Sequence, residues 1–153
     1  MKDKLKIIDL SPDDSLWNEA LPVLQQLRPL LTADLFRQIY GESYMRERVQ
    51  YTVGLDNRDE CLVVMGWRIL NKTAVRMLYI DDLVVSEKAR GTGIGKVMME
   101  EMTKRANEAG CGMLALDTGA QRVDAQRFYE NFGMKRDKVY LYLKELSVKK
   151  ETT

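Results

Sequence analysis

Three glycines at alternate positions stand between two basic residues, in the order Arg90, Gly91, Gly93, Gly95 and Lys96. A β-branched run comes directly before them, and an amphipathic pattern typical of a helix follows. Glycine permits positive φ and close approach, so successive backbone N–H groups can converge on a phosphate at the start of a helix. The pattern predicts an anion-binding loop, and the alternative is a tight strand-to-helix turn without a ligand.

The spacing of these glycines excludes two common phosphate loops. A Walker A loop requires G-x-x-x-x-G-K-S/T, but Val97 follows Gly95-Lys96, and Arg90 occupies the position of the first glycine. A dinucleotide fingerprint requires G-x-G-x-x-G, and the third glycine here comes one residue early. The loop must therefore be of another kind.

The composition restricts the chemistry that the chain can perform. It has no histidine, so an imidazole base, a histidine-based triad and a histidine metal site are excluded. The two cysteines, Cys61 and Cys111, are too far apart in sequence to favour a zinc site, and no metal is expected. Proton transfer must then use carboxylate, tyrosine, lysine, cysteine or water. The 24 basic and 23 acidic residues give a net charge of +1, which predicts no nucleic-acid partner.

The same features predict a cytoplasmic protein. Both cysteines stand in apolar, strand-like contexts that suit reduced core packing rather than a disulfide framework. We expect no secretory signal and no membrane partner, because no apolar window approaches the roughly 18 residues of a membrane span.

The order of the elements predicts one α/β (α+β) domain over residues 1–147, with a frayed tail at 148–153. Apolar runs predict strands at 5–10, 51–55, 61–70, 75–85 and 111–117, and a final strand or pair of strands within 134–146. Helical periodicity predicts helices at 16–31, 32–48, 93–109 and 124–132, and Pro22 should begin or kink the first. These elements indicate a central mixed, mostly antiparallel twisted sheet flanked by about four helices.

A second motif begins at Ala125 and reads Ala-Gln-Arg-Phe-Tyr-Glu-Asn-Phe-Gly-Met. Taken alone, its Phe-Tyr pair on a short helix would indicate core packing. Together with the glycine loop, it resembles the R-x-x-G-x-G and A-x-x-F-Y-x-x-x-G-F motifs of the GNAT N-acetyltransferase superfamily, in that family's order. Met134 replaces the usual phenylalanine. Arg122 stands where the family often has asparagine, so no contact of that asparagine is carried over.

The resemblance implies a GNAT fold that uses acetyl-CoA as its cosubstrate. In that family the loop amides hold the pyrophosphate, with Arg90 and Lys96 adding positive charge. The preceding strand pairs its main chain with the pantetheine arm, and an N–H near Val84 polarises the thioester carbonyl. The cofactor-binding residues implied are Leu83, Val84, Val85, Arg90, Gly91, Thr92, Gly93, Ile94, Gly95 and Lys96.

Two catalytic residues follow from the resemblance. Asp81 occupies a frequent base position of the family and would deprotonate the amine directly or through water; the alternative is a carboxylate that orients the substrate. Because successive strand residues point to opposite faces, Asp82 should anchor structure on the other side of the sheet. Tyr129 matches the tyrosine that protonates the leaving thiolate, and the alternative is a ring that packs beside the pantetheine.

The leading functional hypothesis is an N-acetyltransferase acting on a small-molecule primary amine by direct attack in a ternary complex. The alternatives are a protein acetyltransferase, acting on a lysine or an N-terminal amine, and an acyl-CoA-binding module without catalysis. Substrate determinants are expected on the two N-terminal helices, with Arg37, Tyr40, Glu42, Tyr44 and Arg46 as candidates. Domains of this family often form dimers, so a homodimer is a further expectation.

Overall fold

The computed structural model describes residues 4–147. The strands are β1 (Lys6–Leu10), β2 (Gln50–Leu55), β3 (Cys61–Lys72), β4 (Val75–Val85) and β5 (Met113–Leu116). The α-helices are α1 (Trp17–Leu27), α2 (Ala33–Glu47), α3 (Ile94–Glu108) and α4 (Val123–Asn131), and a short 3-10 turn covers Glu87–Ala89. Two compact units make up the chain: residues up to Asp117 contain the sheet with α1, α2 and α3, and residues from Thr118 contain α4.

The five strands form one sheet in the order β1-β2-β3-β4-β5. The first four pair antiparallel, and β5 pairs parallel with β4, with α3 as the connection between them. A parallel neighbour requires such a crossover, whereas antiparallel neighbours can be joined by short turns. The predicted mixed, mostly antiparallel sheet and the number of helices are therefore confirmed.

The first helix begins close to its predicted start and ends earlier than the sequence pattern suggests. It begins at Trp17, not at Pro22, because the backbone N–H of Leu16 is held by the Asp14 carboxylate and a turn is already formed there. It ends at Leu27 because Arg28 precedes Pro29, and a residue before proline is disfavoured in helical conformation. Arg28 is thus released from the helix at its C-terminus.

Apolar packing in the first unit joins the helices to the sheet. Trp17 of α1, Phe36 and Tyr40 of α2 and Tyr51 of β2 form one aromatic cluster, with ring centroids 4.5–5.7 Å apart. Helix α3 packs on β3, β4 and β5 and contributes three methionines that are fully buried, namely Met98, Met99 and Met102. Those methionines therefore fill the core, as their unbranched and adaptable side chains suit them to do.

The predicted final strand or strand pair is wrong: residues 134–147 contain no strand. Val139, Tyr140, Leu141, Tyr142 and Leu143 are 73–91% exposed in this segment. An apolar, aromatic run favours a strand only where a neighbouring strand edge and a packed face receive it, and sequence pattern alone does not supply either. The predicted tail at 148–153 lies outside the described residues.

Candidate active site

A β-bulge in β4 decides how the two neighbouring aspartates are presented. Asp82 pairs with Gly66 and Ile80 pairs with Trp67, so Asp81 is one extra residue on β4. A bulge disrupts the strict alternation of side chains along a strand. Asp81 and Asp82 consequently line the same cavity, and the expectation that they lie on opposite sides is wrong.

The cavity has a volume of about 480 Å³ and lies within the first unit. Charged side chains reach it from several elements: Arg28 just after α1, Glu47 at the end of α2, Arg68 on β3, and the two aspartates of β4. Glu42 and Arg46, two of the predicted substrate determinants, also line it. Of the other predicted determinants, Tyr40 is buried with its hydroxyl donating to the Leu10 carbonyl oxygen at 3.1 Å, and it serves the core.

Asp81 is held at both carboxylate oxygens by one arginine. Arg68 donates from Nε to Oδ2 at 2.9 Å and from Nη2 to Oδ1 at 2.8 Å. The same guanidinium donates from Nη1 to Oε2 of Glu47 at 2.9 Å. Such a bidentate pair fixes the plane of the carboxylate as well as its position. Arg68 therefore ties the C-terminal end of α2 to the bulge.

Asp82 is held by two residues, an arginine and a tyrosine. Both Nε and Nη2 of Arg28 donate to its Oδ1, at 3.2 and 2.7 Å, while the Tyr51 hydroxyl donates to Oδ2 at 3.3 Å. Burial raises the pKa of the Asp82 carboxyl, and the Arg28 guanidinium opposes that rise. The Asp82 side chain is 10% exposed, so the carboxylate is the more buried partner of its ion pair with Arg28.

The far end of β4 has one edge without a neighbour. Strand β5 ends at Leu116, opposite Ile80, whereas β4 continues to Val85. In the part of the chain that the structure describes, Leu83, Val84 and Val85 pair only with β3. An extended ligand could therefore add to this edge through main-chain hydrogen bonds.

The glycine loop links that edge to α3. Gly91 and Gly93 have φ of +77° and +85°, a conformation that side chains other than glycine rarely adopt, and α3 begins at the next residue, Ile94. The first bond inside α3 runs from Val97 N–H to the Gly93 carbonyl oxygen, so the N–H groups of residues 94–96 have no partner in the preceding turn. The positive φ values and the helix start agree with the sequence pattern, and the binding of an anion by this loop stays a prediction.

The positive charges near the loop differ in their partners. Arg90 and Lys96 are exposed and form no ion pair with any residue in the range 4–147. Lys88, by contrast, is paired with Glu60. Arg90 and Lys96 are accordingly the cations that remain available to an anionic ligand.

Comparison with known proteins identifies the family. The model of the acetyltransferase (GNAT) family matches residues 15–134 of this chain. The chain belongs to the GNAT family. This GNAT protein is therefore an acyltransferase, and the family assignment made from the two motifs is confirmed.

Individual relatives agree with this assignment. The chain is 30% identical over 121 residues to an uncharacterised N-acetyltransferase, YhdJ, of Bacillus subtilis, covering 74% of this chain and 80% of that one. It is 25% identical over 136 residues to a glucosamine 6-phosphate N-acetyltransferase of Candida albicans, covering 86% and 87%. The aminoglycoside N-acetyltransferase AAC(6')-Iy, solved in complex with CoA, shares the fold with a TM-score of 0.79 at 14% identity, covering 95% and 98%. Members of the family use acetyl-CoA as the donor.

Tyr129 lies on α4 in the second unit of the GNAT chain. Burial raises the pKa of its hydroxyl, and the charge of Arg122, which directly precedes α4, opposes that rise. Its ring packs edge-on against Phe128, with centroids 5.2 Å apart. The hydroxyl is therefore kept protonated at neutral pH, the state that a proton donor requires.

Sequence reasoning missed Arg28, Tyr51, Glu47 and Arg68. One usable signal exists, because Arg68 is the single charged residue in the apolar run 61–70. A charge in a strand that is otherwise buried requires a partner, which points toward the carboxylates of the next strand. No comparable signal marks Tyr51, whose role depends on the bulge.

The described residues show neither a cluster of metal ligands nor a membrane-spanning helix. Residues 4–147 contain no group of three or more histidine, cysteine, aspartate or glutamate side chains arranged to hold a metal ion. Among the helices of the same residues, none has the length and apolarity that crossing a bilayer demands.

Proposed function

We propose that this GNAT protein transfers the acetyl group of acetyl-CoA to a primary amine of a small molecule, by direct attack in a ternary complex. The observation that carries the proposal is the cavity of about 480 Å³, lined by Asp81 and Asp82 where β4 loses its neighbour β5. This volume lies within the range of small-molecule sites, roughly 300–1,000 Å³. The named substrates of two relatives, glucosamine 6-phosphate and aminoglycosides, are small amines and support the same class.

The donor would occupy the edge of β4 and the glycine loop. Main-chain groups of Leu83, Val84 and Val85 would pair with the pantetheine arm, and an N–H near Val84 would polarise the thioester carbonyl. The backbone from Arg90 to Lys96 would hold the pyrophosphate, with the two terminal cations adding attraction. The ligand-binding residues thus remain Leu83, Val84, Val85, Arg90, Gly91, Thr92, Gly93, Ile94, Gly95 and Lys96.

The reaction requires the amine to lose protons and the thiolate to gain one. The substrate ammonium gives a proton to an aspartate of β4, for which Asp81 is the candidate from its family position. The free amine then attacks the thioester carbon and the C–N bond forms. The nitrogen of this adduct gives its second proton to water, and the C–S bond breaks with its electron pair on sulfur. Tyr129 is proposed to donate the proton that the departing thiolate takes up.

The test is a transfer assay that follows release of the CoA thiol. Wild-type protein is given acetyl-CoA with a panel of amines that includes glucosamine 6-phosphate, kanamycin, spermidine and ethylamine, and with lysine-containing and free N-terminal peptides. We expect thiol release with at least one small amine and a product whose mass has increased by one acetyl group. Release with peptides alone would instead establish the protein acetyltransferase. Tight acetyl-CoA binding without transfer to any amine or peptide would establish the binding module.

Two further properties remain predictions from the sequence. The cytoplasmic location rests on the cysteine contexts, and fractionation of the source cells would test it. A homodimer is expected because domains of this family often form dimers, and sedimentation equilibrium would test this expectation.

A further inference from the structure

A second cavity, of about 150 Å³, lies beside the larger cavity of about 480 Å³. The two share five lining residues, so they are adjoining compartments of one depression: Arg28, Ile39, Ser43, Tyr51 and Asp82. We call the smaller compartment the apolar pocket, and the residues that line it alone are Leu24 of α1, Leu31 between α1 and α2, and Phe36 and Tyr40 of α2. A molecule bound in the larger cavity can therefore extend into the apolar pocket.

The polar side chains of the apolar pocket already have partners inside the protein. Nη2 of Arg28 donates to Oδ1 of Asp82 at 2.7 Å, and the Tyr51 hydroxyl donates to Oδ2 of the same carboxylate at 3.3 Å. The Ser43 hydroxyl donates to the Tyr40 carbonyl oxygen at 3.2 Å, and the Tyr40 hydroxyl donates to a backbone carbonyl at 3.1 Å. A ligand hydroxyl placed here would lose its bonds to water and gain few in return, which is unfavourable. Hydrocarbon carries no such penalty.

The rest of the lining is hydrocarbon and aromatic ring. Leu24, Phe36 and the ring of Tyr40 are buried, and Leu31 is partly buried against the same core. Ile39 lines both compartments and is 56% exposed, although it is apolar. An apolar cavity of roughly this volume accommodates a ligand of the size of benzene. An apolar group in the pocket would therefore find matching surface.

The larger cavity offers different groups. Glu42 and Arg46 line it but not the apolar pocket, and neither forms an ion pair within residues 4–147. Asp81 also lines only the larger cavity, whereas Asp82 lines both. An ammonium near these two carboxylates thus lies next to the apolar pocket. The depression has a charged compartment and an apolar one side by side.

We propose that the acceptor is a primary amine with an apolar substituent, whose ammonium binds in the larger cavity and whose hydrocarbon or aromatic group fills the apolar pocket. This inference rests on the proposed function, since it names the substrate class of the same site. Each methylene that enters the pocket strengthens binding by about 4-fold, until the pocket is full. An amino sugar is a poorer acceptor, because it would place hydroxyls against groups that are already paired.

The test compares n-alkylamines that have the same charge and differ only in chain length: ethylamine, n-butylamine and n-hexylamine. Release of the CoA thiol at saturating acetyl-CoA gives kcat/KM for each amine. We expect kcat/KM to rise by at least about 10-fold from ethylamine to n-hexylamine. The ether 3-ethoxypropylamine has the length of n-hexylamine and should fall below it by a similar factor. A series that is flat, or in which the ether is the better acceptor, would overturn the proposal.

Leu31→Trp is the variant that fills the apolar pocket, and Leu30→Trp is its matched control. Leu30 is the preceding residue, is 93% exposed and lines neither compartment. We expect Leu31→Trp to lower the ratio of kcat/KM for n-hexylamine to that for ethylamine by at least about 5-fold, whereas Leu30→Trp keeps the wild-type ratio. An unchanged ratio in Leu31→Trp, or an equal change in both variants, would count against the pocket. Thermal unfolding of both variants checks the fold.

A second measurement uses the wild-type protein and no turnover. With CoA present in place of acetyl-CoA, the labelled methyl signals of Leu24 and Leu31 are followed while n-hexylammonium or ethylammonium chloride is added. We expect both signals to move with n-hexylammonium and to move less with ethylammonium at the same concentration. Signals that respond to neither ion, or to both equally, would reject the pocket. Absence of transfer to every amine and peptide contradicts the proposed function, whereas this titration judges the apolar pocket by itself.

Discussion

Replacing Gly93 by aspartate or by asparagine separates the charge of the new side chain from its shape. Gly93 has φ of +85°, and a Cβ built there meets nothing within 4 Å, so either substitution costs backbone strain without steric overlap. Left-handed backbone costs a non-glycine residue about 1–2 kcal/mol, and asparagine and aspartate tolerate it better than most. Both variants should therefore fold with a similar small loss of stability.

The two variants should differ in their affinity for acetyl-CoA. Gly93 is the residue directly before α3, so an aspartate there places a carboxylate where we expect the pyrophosphate. The pyrophosphate carries two negative charges, and each would lie about 6 Å from the new carboxylate. With an effective dielectric constant of ~40–80, the repulsion between the carboxylate and both charges amounts to roughly 1.5–3 kcal/mol. This corresponds to about 10- to 150-fold weaker binding of the Asp variant relative to the Asn variant.

Calorimetric titration with acetyl-CoA measures this ratio, and thermal unfolding of both variants checks the fold. The helix dipole should affect stability in the opposite direction, because an aspartate at the start of α3 should stabilise the free protein relative to asparagine. The Asp variant should thus be at least as stable as the Asn variant and yet bind more weakly. Equal affinities for the two variants, both close to wild type, would refute a pyrophosphate site on this loop.

Four other predictions concern stability and catalysis. Gly41→Ala should raise the free energy of unfolding by roughly 0.5–1 kcal/mol, since a Cβ there meets nothing within 4 Å inside α2. Gly54→Ala should lower the free energy of unfolding by about 1–3 kcal/mol, because its Cβ would lie 2.6 Å from Cγ1 of Val63. If urea unfolding finds Gly54→Ala more stable than Gly41→Ala, both predictions are contradicted. Tyr129→Phe should reduce kcat about 100-fold with unchanged acetyl-CoA affinity, and unaltered turnover would remove the hydroxyl from the mechanism. Burial and the Asp82 charge raise the pKa of Tyr51 above its usual value, so the unfolded chain releases this proton near pH ~10 while the folded chain retains it. The contribution of Tyr51 to the free energy of unfolding is therefore complete below pH ~10 and is lost above it, at about 1.4 kcal/mol per pH unit. If urea unfolding shows no such fall in the free energy of unfolding, the Tyr51 hydroxyl is solvated.

Features that depend on neighbouring residues in the chain were predictable. The positive φ at Gly91 and Gly93 and the start of α3 follow from local spacing, as does the Thr32 side chain that accepts from Leu35 N–H at 3.1 Å to cap α2. The Asp56 carboxylate likewise accepts two N–H bonds in the turn between β2 and β3. Each of these contacts spans only a few residues, so the sequence specifies it directly.

Features that join distant segments were not predictable. The segment 134–147 has the residues of a strand but no strand pairing, because local preference cannot provide a partner edge. The length of α1 was overestimated by its apolar periodicity, and the restriction imposed by Pro29 on Arg28 ended the helix first. That early end matters for the site, since it frees Arg28 to reach Asp82.

The sequence by itself determined the family, the backbone conformation of the glycine loop and the limited choice of proton-transferring groups. These depend on residue identity and on spacings of a few residues along the chain. Only the tertiary structure decided that Asp81 and Asp82 share one cavity, because a bulge is set by the register between β3 and β4. It also decided which arginine holds which aspartate, since those pairs join residues 13 and 54 positions apart.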